Sequence, residues 1–228
     1  MKIAEDIYFY EETSAGTGFS ANAIVIDGDP KLIIDPGSKG HLPLLVKRMA
    51  ADGLDVSARD LAFFTHSHPD HLGAGRALAD EFKVCLAMHR LEIDFLRGGG
   101  LSFWGSFPFS EKEFMVLEQG EFSFGSHDFY LHHTPGHSPG SLTLHWPGAK
   151  LLVTGDVYFS GTFGATNLPG GDERDMFRTL ERLEALTDVD LALCGHGPAV
   201  VGRGAVRENY RLLAREVSMK KAGTWTGS

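Results

Sequence analysis

Short apolar runs recur along this chain, and five of them lead into a histidine or an aspartate. Runs of this length, separated by turn residues, are typical of β-strands. Sites in α/β proteins gather where the carboxyl ends of strands lie side by side, so we expect the five endings to converge on one cavity. The runs and their endings are residues 32–34 with Asp35, 61–64 with His66, 129–131 with His137, 151–153 with Asp156, and 191–194 with His196.

Amphipathic helices are predicted between the strands. Apolar side chains follow one-face helical spacing over residues 42–49, 176–183 and 206–217. Asp172 stands where an N-cap residue would begin the second helix. Further strands are predicted at residues 3–10, 21–26, 84–87 and 142–144, with hairpin connections at residues 27–30 and 147–148. Strands and helices alternate in both halves, so the predicted fold class is α/β with mixed sheets.

Length and composition indicate an ordinary globular protein. Of the 228 residues, 43% are hydrophobic and 22% are charged, a typical balance for a soluble domain. We expect a single domain over residues 1–222 and a frayed tail over residues 223–228. No apolar run approaches the roughly 20 residues of a membrane span, and the acidic N-terminus lacks the apolar core of a signal peptide. The expected location is the cytoplasm, with no membrane partner.

The charge balance bears on the class of partner. With 21 Lys and Arg against 30 Asp and Glu, the formal net charge is −9. A protein that follows nucleic-acid phosphates needs a basic face. We therefore expect a small-molecule substrate and no nucleic acid.

The segment from Thr65 to His71 reads Thr-His-Ser-His-Pro-Asp-His. Imidazole and carboxylate groups are ligands for borderline divalent metals, and this cluster beside an apolar run would be costly without a metal. His66 and His68 are two residues apart, so both side chains can point to one side of an extended loop. Asp70 falls at a predicted helix start, where it could ligate the metal, cap the helix, or do both. The cluster predicts a metal site.

Taken with three later motifs, the cluster resembles the metallo-β-lactamase superfamily. The motifs are Thr134-Pro135-Gly136-His137, Thr154-Gly155-Asp156 and Gly195-His196-Gly197. The resemblance spans about residues 35–196 and implies a four-layer αβ/βα sandwich, in which two facing mixed β-sheets are flanked by helices. It also implies a two-metal site along one edge of the sheets.

The resemblance assigns ligands to each metal ion. His66, His68 and His137 would hold the first ion, Asp70, His71 and His196 would hold the second, and Asp156 would bridge both. Asp35 would orient a ligand histidine. We expect two divalent ions, with zinc first and iron or manganese as alternatives, because the ligand set suits all three. Six other histidines lack a matching motif and are expected to be structural or exposed: His41, His89, His127, His132, His133 and His145.

The implied chemistry is hydrolysis. Two divalent ions can share a water and lower its pKa, which makes a bridging hydroxide available near neutral pH. They can also stabilise the oxyanion that forms when a carbonyl or phosphoryl group is attacked. Asp70 and Asp156 would orient the hydroxide, and Asp70 could take up its proton. Asp70 and Asp35 are thus the candidate catalytic residues.

Residues 157–172 are similar to a segment of glyoxalase II-like hydrolases, in which a Gly-Arg-Thr-Asp-Leu-Pro-Gly-Gly run is common. Ala165 and Asn167 stand in place of the Arg and the Asp, which removes a charge pair. Full glyoxalase II enzymes also carry a helical extension that binds glutathione, whereas only one helix, over residues 203–220, and a tail are predicted after His196. A small thioester is the expected substrate, with Tyr158 and Asn167 as candidate contacts.

Residues 95–109 combine glycines with five aromatic side chains. One interpretation is a mobile lid with an apolar wall, in which Phe103 and Trp104 contact the substrate. The alternative is that the aromatics pack into the core or against a second copy in a homodimer.

Two other functions fit the same motifs, and two more are disfavoured. A persulfide dioxygenase of this fold would bind one iron through His66, His137 and Asp156, although the missing Arg counts against it. A lactonase is a further alternative. A true β-lactamase is disfavoured because it works outside the cytoplasm, and a non-catalytic binding module is disfavoured because every ligand position is filled.

Overall fold

The computed structural model of the chain describes residues 1–12, 20–102 and 109–221. Within these residues lie two β-sheets, of seven and six strands. The first contains β1 (Lys2–Ala4), β2 (Ile7–Tyr10), β3 (Ala23–Ile26), β4 (Leu32–Ile34), β5 (Leu61–Phe63), β6 (Cys85–His89) and β7 (Phe114–Leu117). The second contains β8 (Gly120–Phe124), β9 (His127–His133), β10 (Leu142–Trp146), β11 (Leu151–Gly155), β12 (Leu191–Cys194) and β13 (Val200–Val201). Each half of the described chain builds one sheet.

Helices cover the outer faces of both sheets. They are α1 (Leu42–Ala51), α2 (Pro69–Leu72), α3 (Gly75–Ala77), α4 (Arg90–Arg97), α5 (Glu173–Glu184) and α6 (Arg203–Lys221). On the first sheet, Met49 of α1 shares an apolar cluster with Ile33. On the second sheet, Met176 of α5 and Leu213 of α6 share a cluster with Ala192. The predicted α/β sandwich of two mixed sheets with flanking helices is confirmed.

The main core lies between the two sheets. Ile24 and Ile34 of the first sheet share one buried cluster with Leu144 and Val153 of the second. The intervening Val25 points the other way and belongs to the cluster beneath α1. Both faces of these strands are therefore buried, which explains why they appear in the sequence as continuous apolar runs.

Strand direction brings the five polar endings to one edge. β4 and β5 are parallel neighbours, so Asp35 and His66 follow them on the same side of the first sheet. β11 and β12 are parallel, and β9 runs in the same direction because β10 is antiparallel to both β9 and β11. His137, Asp156 and His196 therefore follow strands that end at one edge of the second sheet.

Asn22 fastens the two sheets together at that edge. Its backbone N–H donates to the Gly195 carbonyl at 2.7 Å, and its Nδ2 donates to the carbonyls of Cys194 at 3.0 Å and Gly197 at 2.8 Å. Asn22 is buried, so these hydrogen bonds satisfy its own N–H groups, which water does not reach. The loop after β12 is thereby held against the first sheet.

A few elements differ from the sequence-based prediction. The predicted strand over residues 3–10 is a hairpin of β1 and β2, because Asp6 adopts a φ of 56° and turns the chain. β7, β8, β13 and α4 have no counterpart among the predicted elements. β8 alternates half-buried and exposed side chains, so no continuous apolar run marks it. The predicted hairpin connections before β4 and β11 are confirmed by antiparallel pairing with β3 and β10.

The predicted tail, residues 223–228, lies outside the described residues. Of the helices in the described ranges, none combines the length and apolar character that a bilayer crossing requires.

The N-cap of α5 provides a test of this local structure. Asp172 accepts a hydrogen bond from the Asp175 N–H at 2.9 Å, as predicted for a cap. We expect Asp172→Ala to lower the free energy of unfolding by about 1 kcal/mol in equilibrium urea titrations. Asp172→Asn, which keeps a side-chain acceptor, should retain most of this stability. Equal losses in the two variants would show that the cap is not responsible.

Candidate metal centre

The loops after β5, β9, β11 and β12 bring the seven predicted ligands into three overlapping groups. In each group, one nitrogen or oxygen atom per residue lies within 4.8 Å of the others. The groups are His66, His68 and His137; His66, His71 and Asp156; and Asp70, His71 and His196. Every residue that the resemblance assigns to a metal therefore lies in one cluster at the shared edge of the sheets.

The first group consists entirely of imidazoles. Nε2 of His137 lies 2.9 Å from Nδ1 of His68. The ring centroid of His66 lies 4.6 Å from that of His68 and 4.7 Å from that of His137. All three side chains are buried. Three buried imidazoles facing a common point form a donor set that suits a divalent ion with an open coordination position.

The group of Asp70, His71 and His196, called the second group from here on, contains a carboxylate, and Asp156 joins it to the first. Oδ2 of Asp70 lies 3.0 Å from Nε2 of His196 and 3.7 Å from Nε2 of His71. Oδ2 of Asp156 lies 3.5 Å from Nε2 of both His137 and His196. Its Oδ1 lies 3.2 Å from Nε2 of His71. Asp156 is therefore within reach of both ligand sets.

Hydrogen bonds on the far side of the rings fix their orientation. Oδ2 of Asp35 lies 2.8 Å from Nδ1 of His71 and also accepts from the Thr65 hydroxyl at 2.6 Å. Nδ1 of His137 donates to the carbonyl of Ala165 at 2.8 Å. In both rings Nε2 is left facing the cluster, which is how ligand histidines are commonly held.

Burial and neighbouring charges shift the pKa values within the cluster. Burial lowers the pKa of His68 to about 3 and that of His66 well below its ordinary value, with neighbouring imidazoles adding to the effect. Burial also lowers the pKa of His196, but hydrogen bonds with Asp156 and Asp70 outweigh it and raise the pKa to about 9. The second group thus holds protons that a divalent cation would displace.

The residues present fit a pair of metal ions. Nε2 of His66 is buried and makes no hydrogen bond within the described part of the chain, and Nε2 of His71 faces Oδ1 of Asp156 at 3.2 Å without forming one. Buried polar atoms without partners are uncommon and costly. Gly195 permits the close approach, because a Cβ there would overlap Oδ1 of Asp156 and lie 2.7 Å from Cε1 of His71. The donors are all nitrogen and oxygen, which suits zinc, iron or manganese.

Comparison with known proteins agrees with this geometry. The family model described as "Metallo-beta-lactamase superfamily" matches residues 16–196. The chain belongs to the metallo-beta-lactamase superfamily. The crystal structure of the BLEG-1 B3 metallo-beta-lactamase is similar to this chain with a TM-score of 0.70 and 26% identity, covering 89% of this chain and 95% of that one. A di-iron-bound structure of TTHA1623 has a TM-score of 0.68 and 28% identity, covering 86% and 96%.

Proteins that are similar to this chain in sequence include two whose names describe hydrolases. A probable metallo-hydrolase, YqgX, from Bacillus subtilis (strain 168) is 32% identical over 186 residues, which cover 78% of this chain and 85% of that protein. The hydroxyacylglutathione hydrolase GloC from Haemophilus influenzae is 30% identical over 197 residues, covering 79% and 87%.

A cleft of about 660 Å³ opens beside the metal centre. Ligand side chains form part of its lining, together with Ser38. Its remaining walls are apolar and consist of Pro69, Phe159, Ala165 and Leu168. Neither Lys nor Arg occurs among the described residues that line it. The cleft therefore offers ligand atoms at its floor and apolar surface above them.

The prediction that Tyr158 contacts substrate is wrong. Its side chain is 0% exposed and its ring packs against that of Tyr210, with centroids 5.3 Å apart, in the core beneath the second sheet. The next residue, Phe159, lines the cleft instead. Consecutive side chains in extended backbone point to opposite sides, so Phe159 takes the position expected of Tyr158. Asn167 is exposed, and its contact with substrate stays a prediction.

The described ends of the 95–109 segment pack against the body of the protein. Leu101 is buried, and the ring of Phe109 lies 5.3 Å from that of Phe114. This packing agrees with the core alternative for Phe109. Phe103 and Trp104 lie outside the described residues, so their part in a lid stays a prediction.

The other six histidines stay outside the metal centre. None of them belongs to a ligand group among the described residues. His89 and His133 stack at 4.6 Å, and the Nε2 atoms of His132 and His145 are buried without a hydrogen bond.

Sequence analysis did, however, miss Glu92, a fully buried carboxylate behind the first group. Its only sequence signal is that Glu92 shares a helix face with Leu96, four residues on.

Metal binding should be visible as a thermal stabilisation that depends on His66. A ligand at about 100 times its Kd adds roughly 2.7 kcal/mol per site, so zinc bound at the first site should raise the Tm of the metal-free chain by roughly 5–10 °C. His66→Ala should remove most of this increment in calorimetry or fluorescence melts. His132→Ala removes an imidazole outside the metal centre whose Nε2 is likewise buried without a hydrogen bond. This variant should keep the zinc-induced rise in Tm. A zinc increment that survives in His66→Ala would contradict the assignment.

Proposed function

We propose that the protein is a dinuclear metal-dependent hydrolase that cleaves a small acyl thioester. The observation that carries this proposal is the position of Asp156, whose carboxylate oxygens lie within 3.5 Å of histidines from both ligand groups. A carboxylate between two complete ligand sets supports a paired-ion site for water activation. Zinc is the first expectation for the ions, with iron or manganese as alternatives.

Residues of the chain would orient the reactants and move the proton. Two divalent ions bound here would lower the pKa of a water and polarise the acyl oxygen of the substrate. Burial raises the pKa of Asp70, but the charge of His71 and a hydrogen bond with His196 bring it below its ordinary value. Asp70 is therefore ionised at neutral pH, and its side chain reaches the cleft. It can accept the proton of the attacking water at a carboxylate oxygen, while Asp35 holds His71 in place.

The cleft walls favour an apolar acyl group with an uncharged thiol portion. The name of the Haemophilus influenzae relative, a hydroxyacylglutathione hydrolase, supports a thioester. The described residues that line the cleft include no Lys or Arg to pair with a substrate carboxylate. Residues 13–19 and 103–108 contain neither type in the sequence. We infer that glutathione, which carries two carboxylates, is a poorer thiol portion than a neutral one.

Metal analysis combined with a substrate panel tests the proposed reaction. We expect two ions per chain in protein purified without chelator, loss of thioester hydrolysis on chelation, and recovery on adding zinc, iron or manganese. The rate should be the same with and without dioxygen. One iron per chain with oxygen uptake on a persulfide would contradict the hydrolase and favour the dioxygenase. Turnover of lactones without turnover of thioesters would identify a lactonase.

The inferred substrate charge can be tested with matched thioesters. For one acyl group, kcat/KM should be roughly tenfold higher with N-acetylcysteamine than with glutathione, a difference of about 1.4 kcal/mol. Ala165→Arg adds a cation to the cleft wall. It should raise kcat/KM for the glutathione thioester and so bring the ratio of the two kcat/KM values closer to one. Ala165→Leu is the control for size without charge. A ratio near one in the wild type would contradict the inference.

A further inference from the structure

Glu92, in the first turn of α4, is a buried carboxylate that neither ligand group uses. Its side chain is 0% exposed. Oε2 accepts hydrogen bonds from the backbone N–H of Ser67 at 2.9 Å and from the Ser67 hydroxyl. Oε1 accepts from the Ser138 hydroxyl at 2.6 Å and from the Gly140 N–H at 2.7 Å. All four bonds are buried, where an unsatisfied donor would be costly.

The four donors belong to the two loops that carry the first ligand group. Ser67 lies between His66 and His68, in the loop after β5 of the first sheet. Ser138 follows His137, in the loop after β9 of the second sheet. Each carboxylate oxygen therefore holds one loop. The carboxylate group bridges the two loops.

The loop from the second sheet packs closely on α4. A Cβ on Gly140 would lie 2.7 Å from the backbone nitrogen of Glu92 and 2.9 Å from its Cγ. The Ser138 hydroxyl also lies 2.7 Å from that of Ser141. The loop is therefore in close contact with the helix at Gly140, two residues after the Ser138 that adjoins His137.

We propose that Glu92 is a positioning residue for the metal centre: by joining the Ser67 loop to the Ser138 loop, it sets the geometry and the affinity of the first metal site. Its link to the second site is less direct: Ser67 and Ser138 adjoin first-site ligands, whereas none of its hydrogen-bonded partners adjoins Asp70, His71 or His196 in sequence. This inference rests on the metal centre of the proposed function but not on the substrate or on the reaction.

Glu92→Gln is the sharpest substitution because both arms of the carboxylate accept from a backbone N–H. A glutamine has the same shape but only one acceptor oxygen. Its NH2 group must therefore face the N–H of either Ser67 or Gly140, and neither backbone donor can rotate to become an acceptor. Substitution of a residue that holds metal ligands in place without binding the metal typically lowers metal affinity by about 10–100-fold.

The experiment measures stepwise zinc affinity by competition with a chromophoric chelator. His68→Ala and His196→Ala assign the two binding steps to the first and second groups. In Glu92→Gln we expect first-site affinity to fall by about 10–100-fold and second-site affinity to remain within about threefold. The absorption spectrum of the cobalt-substituted variant should change in the first-site transitions alone. Ser138→Ala, which removes one donor and keeps the carboxylate, should produce a smaller loss in the same direction.

Asp60→Asn is the matched control. Asp60 is also buried and accepts from two backbone N–H groups, those of Lys31 at 2.9 Å and Ser57 at 2.8 Å. It precedes β5, at the edge of the sheet opposite the metal centre. Asp60→Asn should lower the Tm of the metal-free chain and leave both zinc affinities unchanged.

Three results would overturn the inference. One is an unchanged first-site affinity in both Glu92→Gln and Ser138→Ala. Another is an equal loss at both metal sites. The third is a wild-type chain that binds none of zinc, iron and manganese, which would also remove the proposed function. A wild type that binds metal but cleaves no thioester would contradict the proposed function and leave the affinity test of Glu92 intact.

Discussion

A buried cluster of carboxylates and imidazoles, which needs positive charge close by, constrains the rest of this protein. Asp35 and Asp156 lie buried with four imidazoles at the edge where two sheets meet. Carboxylates away from water need positive charge close by. In the metal-free chain, protons on His71 and His196 supply part of it, since neighbouring carboxylates raise the pKa of both groups. Divalent cations would supply it more effectively, because the ligand atoms already face a common space.

The fold holds these donors in place through contacts that cross between the sheets. Asn22 ties the His196 loop to the first sheet, and the Leu142 N–H donates to the Thr65 carbonyl at 2.8 Å. Glu92 joins the two loops that carry the first ligand group. Each half of the chain supplies only part of the ligand set. The ligand geometry therefore depends on how the two sheets are fastened together at this edge.

The floor and the walls of the cleft next to the cluster differ in chemical character. Its floor is made of ligand side chains, whereas its walls are Pro69, Phe159, Ala165 and Leu168. The floor contains the motif residues that carry the resemblance to the superfamily. The walls come from the loop residues around and after these motifs, and here they add apolar surface without a described cationic side chain.

The sequence by itself determined the fold class, the strands that precede the metal centre and the identities of its candidate ligands. It could do so because apolar runs buried on both faces are continuous, and because His66 to His71 concentrate four ligand-type side chains in one short segment. Only the tertiary structure decided the rest. It placed Tyr158 in the core and Phe159 in the cleft. Neighbouring side chains point to opposite sides, and the sequence does not show which of the two faces the cleft. It also set Glu92 behind the ligands, because hydrogen bonds between residues 25 to 48 positions apart leave no local pattern in a sequence.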